Sequence, residues 1–74
     1  MTKRKRQVYA IIRIDRFDTD ASLEDIITVT EIVSSLDAAE AEVLRLNALN
    51  GSKGSRYFWQ TTRLILDDDQ NDAT

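Results

Sequence analysis

QVYAIIRIDR, residues 7–16, carries the reading on which the fold turns. Period-two alternation puts Val8, Ala10, Ile12 and Ile14 on one face of a strand and Tyr9, Ile11, Arg13 and Asp15 on the other. Apolar residues on both faces mark a central strand, because an edge strand over water needs only one apolar face. Residues 17–24, FDTDASLE, break the pattern with Asp, Ser and Thr and read as a loop or wide hairpin turn. DIITVTEIV, residues 25–33, is β-branched with a half-polar mixture on both faces, which suits an edge strand.

Ser34, Ser35 and Asp37 then offer N-caps, with Asp37 and Glu40 at capping-box spacing, so a helix begins. At 100° per residue, Leu36, Ala39, Val43, Leu46 and Asn50 form one stripe, with Leu44 and Leu49 on its shoulders. The helix is expected to end near Asn50, with Gly51 taking the left-handed cap conformation. GSKGSR, residues 51–56, is a turn, and residues 57–66, YFWQTTRLIL, form a third strand.

The order strand, strand, helix, strand has one economical solution. The first two strands pair as an antiparallel hairpin, and the helix crosses so that the third strand lies on the far side of the first. The expected fold is α+β: a mainly antiparallel three-stranded sheet in the order 2-1-3, with one helix on one face. Residues 7–66 are its single domain, flanked by a basic disordered arm (1–6) and an acidic disordered tail (67–74).

The alternating VYAIIRI strand, the second strand closing on Ser-Ser, the SLDAAEAEVLRLN helix and the short closing strand resemble a loose class of small bacterial domains of unknown function. The likeness covers about residues 7–66. It implies the fold order just described and carries over no catalytic residues.

Composition narrows the function classes. The apolar fraction of 42% and charged fraction of 31% are those of a soluble globular domain, with a net charge of −3. Cys and His are absent, which excludes disulfides, zinc sets of Cys and His, and His-based nucleophile pairs. Asp15, Asp18 and Asp20 lack the Gly and bidentate Glu of a calcium loop, and the glycines of residues 51–56 do not meet the phosphate-loop pattern, so neither metal nor cofactor is expected. Without a signal-type apolar segment the expected location is cytoplasmic, with no membrane partner.

So short a chain buries only about 60% of its unfolded surface, which makes association a natural source of stability. If Val8, Ala10, Ile12 and Ile14 face the helix, then Tyr9, Ile11 and Arg13 lie on the open face. They are joined by one register of the third strand, either Tyr57, Trp59, Thr61, Arg63 and Ile65 or Phe58, Gln60, Thr62, Leu64 and Leu66. The candidate interaction face is therefore Tyr9, Ile11, Arg13, Tyr57, Trp59 and Arg63, serving a homodimer or a protein partner. A second candidate surface is the neutral helix shoulder of Ala41, Leu44 and Ala48. The alternative function is single-stranded nucleic-acid binding, with the same rings and arginines as a stacking platform and the KRKR arm on phosphate. Net acidity weighs against that alternative. Catalysis ranks last, for want of an enclosed pocket.

Overall fold

The structure, a computed structural model, describes residues 3–16 and 20–67. Its elements are β1 (Lys3–Asp15), α1 (Leu23–Ile26), β2 (Ile27–Val33), α2 (Leu36–Asn50), a 3-10 turn (Gly51–Lys53) and β3 (Ser55–Asp67). Three strands form one antiparallel sheet in the order β2-β1-β3, as the two-faced pattern of β1 requires. The helix α2 covers one face, with ends where the Ser-capped pattern places them. Ser35 is the cap: its Oγ accepts from the Ala38 backbone N–H at 3.2 Å. Residues 1–2 of the expected arm, Asp18 of the acidic loop and residues 68–74 of the expected tail lie outside the described residues.

Four details differ from the sequence reading. The stretch 23–26 forms the short helix α1, opened by Ser22, whose hydroxyl donates to Asp25 Oδ2 at 2.8 Å. Gly51 keeps right-handed helical geometry, because α2 runs on into the 3-10 turn, and the left-handed residue is Gly54 at φ 86°. Residues Lys3–Arg6 are not an unpaired arm but the first residues of β1, paired with β3 from Lys3↔Asp67 to Arg6↔Leu64. The thirteen-residue β3 is long enough to satisfy their backbone groups, and Arg4, Lys5 and Arg6 stand directly opposite Leu66, Ile65 and Leu64, which their aliphatic stems can cover.

The fourth difference is the choice of face. The buried cluster is Ile11, Ala39 and Tyr57, with Tyr9, Val33, Val43, Leu46 and Trp59 packed against it. The helix therefore lies on the Tyr9/Ile11 side, and the Val8/Ala10/Ile12/Ile14 side is open, the inverse of the expected arrangement. Residue volume is the reason. The contacting stripe of α2 is thin, with Ala39 at its most buried point, so large side chains from the sheet must fill the space between the layers. Ile11, Tyr9, Tyr57 and Trp59 do so. On the side away from the helix Val8 is 5% and Ala10 7% exposed.

Between β1 and β2 the pairing shifts at Ile11/Ile12, where Ile11 faces Glu31 but Ile12 faces Val29. Thr30 is the extra, bulged residue, and its hydroxyl donates to the Ile11 carbonyl at 3.1 Å. The bulge inverts the faces of the first half of β2. Val33 and Glu31 point to the helix side, while Ile32, Val29 and Ile27 all reach the open side opposite Ala10, Ile12 and Ile14.

Candidate functional site

The six residues expected to form an open interaction face do not share one. Tyr9, Ile11, Tyr57 and Trp59 gather beneath α2: Ile11 is 0% exposed and Tyr57 8%, and the Tyr9 and Trp59 rings meet edge to face with centroids 5.7 Å apart. Arg13 continues the same face toward the other end of the sheet, held by Asp15, whose Oδ1 lies 3.2 Å from Nε, and by Thr28 Oγ1 at 3.5 Å from a guanidinium nitrogen. The Nε has no hydrogen bond of good direction, so the Asp15 contact is an ion pair alone. Arg63 is on the helix side too but beyond the helix, exposed.

Asn47, on α2 between Val43 and Asn50, fixes this arrangement. Its Nδ2 donates to the Tyr57 carbonyl at 3.0 Å, and its Oδ1 accepts from the Tyr57 N–H at 2.8 Å. A helix side chain thus replaces the missing neighbour strand at that point of β3 and locks Tyr57 toward the core.

The surface left uncovered is the opposite face. Along its centre Ile12 and Phe58 face each other half-buried, while Val8 and Ala10 are buried; its exposed flank is Ile27, Val29 and Ile32 on β2. Val29 is 57% and Ile32 54% exposed, and along β3 Gln60 and Thr62 separate the exposed Leu64 from Phe58. Alternation puts Arg4, Arg6 and Arg56 at the ends of this face, and no acidic residue of the described strands falls on it. The alternation break between Val29 and Ile32 was the sequence signal for this patch, since a spacing of three in a strand marks a bulge. On α2, Ala41, Leu44 and Ala48 are exposed as well, a narrower neutral strip.

Charged groups concentrate on the helix side. Arg45 grips Glu42 with two bonds of 2.9 and 2.7 Å. Those bonds, with a hydrogen bond from Glu31, hold the Glu42 carboxyl down at about 2. Glu31 is shifted up, first by that hydrogen bond to Glu42, then by desolvation and by the Glu42 charge. Glu31 and Arg45 are exposed and Glu42 is half-buried between them, so the cluster behaves as a surface network.

Two shallow recesses open on the surface. One of about 430 Å³ is lined by Lys5, Gln7, Thr61, Thr62 and Arg63, and one of about 310 Å³ by Arg16, Asn47, Gly51, Gly54, Ser55 and Arg56. Among the described residues no group of three potential metal ligands comes together, and no helix is long and apolar enough to cross a membrane. Comparison of the chain with protein-family models, with curated proteins and with solved structures returns no match.

Proposed function

We propose that this chain is a small non-catalytic interaction module that self-associates as a homodimer through the open face of its sheet. One observation carries the reading: on the side away from the helix an apolar surface spans all three strands, from exposed Ile27, Val29 and Ile32 across half-buried Ile12 to Phe58. Its size suits a second copy. Three strands about 4.8 Å apart and some nine residues at about 3.3 Å make a patch of roughly 15 by 28 Å. Two such patches packed face to face remove on the order of 400 Å² from each copy, below the standard size and in the range of weak interfaces. Sheets of this kind pack about 10 Å apart with strands within about 30° of alignment, which a flat face of β-branched residues permits. Arg6 and Arg56 stand at opposite ends of the patch, where they stay solvated in the dimer.

The alternative platform for single-stranded nucleic acid needs Tyr9, Tyr57 and Trp59 available for stacking. Their packing beneath α2 weighs against it.

Sedimentation or light scattering from about 1 to 500 µM tests the proposal. The expected dissociation constant is about 1 to 50 µM, given the modest area. Val29→Arg, at an exposed site that costs the monomer little, is expected to weaken the dimer at least about tenfold, and a strict monomer across the range overturns the reading.

A further inference from the structure

The sheet does not end where β2 ends. The last β2 pair is Tyr9↔Val33, yet β1 and β3 stay paired from Val8↔Thr62 to Lys3↔Asp67, as a two-stranded ribbon extending past β2. Half of the chain's ten basic residues fall in it (Lys3, Arg4, Lys5, Arg6 and Arg63), against one acid, Asp67. Alternation distributes them over both faces: Lys5 and Arg63 on the helix side, Arg4 and Arg6 on the other. Lys5, Arg6 and Arg63 are exposed, and among the described residues none of the three is paired with a carboxylate. On the helix side Lys5 and Arg63 border the 430 Å³ recess together with Gln7 and Thr61, which add uncharged donors beside the cations.

We propose that this ribbon is a binding arm for duplex nucleic acid, entering the major groove and holding phosphates from both of its faces. A two-stranded ribbon with side chains on each face is roughly 10 Å thick, and the major groove of B-form DNA is about 12 Å wide and admits such an element. Cations on both faces match the two phosphate walls of a groove. A single strand offers one backbone and needs exposed rings for its bases, and the ribbon has none. An acidic polypeptide satisfies the charge but makes no use of its two-sided distribution. Of the chain's acids, Asp37, Glu40 and Glu42 belong to α2, outside the ribbon, whereas Asp67 closes the ribbon and Asp68, Asp69 and Asp72 follow it in sequence, so the cations of Lys5, Arg6 and Arg63 must carry the contact.

The test uses the full chain and fluorescence anisotropy with a labelled 20-base-pair duplex, the corresponding single strand and labelled polyglutamate. Duplex binding in the micromolar range at 50 mM salt is expected. With about four phosphates neutralised, affinity should fall about 100-fold between 50 and 200 mM salt. Replacing Lys5, Arg6 and Arg63 together by Ala should weaken binding at least tenfold with an unchanged circular dichroism spectrum, whereas K5R with R6K and R63K should retain it within about twofold. No duplex binding at 50 mM salt overturns the proposal, as does preference for the single strand or for polyglutamate, or indifference to the triple Ala variant. Dimer formation through the open face is read separately, by light scattering without nucleic acid, so either proposal can fail alone.

Discussion

Asn47 and Tyr57 show how one residue decides the orientation of a strand. The two bonds from the Asn47 amide to the Tyr57 backbone admit one facing of β3, and Tyr57 then closes the core over Ile11 and Ala39. Asn47→Ala leaves a backbone N–H and C=O without partners and is expected to cost about 1–3 kcal/mol by denaturant unfolding. Ile11→Ala, at the largest fully enclosed side chain among the described residues, should cost about 2–5 kcal/mol. The facing was not legible from periodicity, since Val8/Ala10 and Tyr9/Ile11 alternate equally well. Side-chain volume against the thin stripe at Ala39 is what separates them. The glycine of the turn was ambiguous for a similar reason: both Gly51 and Gly54 can adopt positive φ, and only the continuation of α2 into the 3-10 turn hands that role to Gly54.

Glu31 and Glu42 give a residue-scale pH signature. A carboxyl held low stabilises the fold above its unfolded value of about 4.3 and loses that contribution as pH falls through about 2, which is the Glu42 case. Glu31 has the opposite sign: its pKa is raised on folding, so its contribution is complete below the unfolded value and is lost as pH rises through the raised one. Melting temperature should therefore rise slightly as pH falls from neutral toward the unfolded carboxyl value, and Glu31→Gln should flatten that segment of the profile. A rise that survives Glu31→Gln would assign it to another group.

Among the elements, the central position of β1 and the bounds of α2 are the most legible, because an apolar pattern on two faces and a Ser-capped stripe each have one good solution. Strand β2 is the least. Its bulge at Thr30 redirects Val29 and Ile27, and a simple alternation through residues 25–33 divides the apolar residues between the wrong faces. The ribbon was also hidden, since a run of four cations resembles a solvated end until a partner strand of equal length is placed beside it. Removing residues 1–6 should speed amide exchange at Leu64, Ile65 and Leu66 while shifting the melting temperature by less than that of Ile11→Ala, because those pairs contribute backbone bonds and no enclosed core.

At the scale of the whole molecule, one helix on one sheet makes a slab 47 by 30 by 18 Å, with long strands and little interior. Its first and last described residues, Lys3 and Asp67, are cross-strand neighbours, so their α-carbons stand about 5 Å apart. A peptide joining them needs only a few residues. Ring closure of the backbone should raise stability by roughly 2–4 kcal/mol, through the unfolded chain's lost freedom, and thermal denaturation of the circular protein would measure it. The same adjacency frees the linear order of the elements. Opened at Ser52 in the 3-10 turn, the circle becomes a permuted chain reading β3, β1, β2, α2, with every strand pair intact and both new ends on an exposed turn.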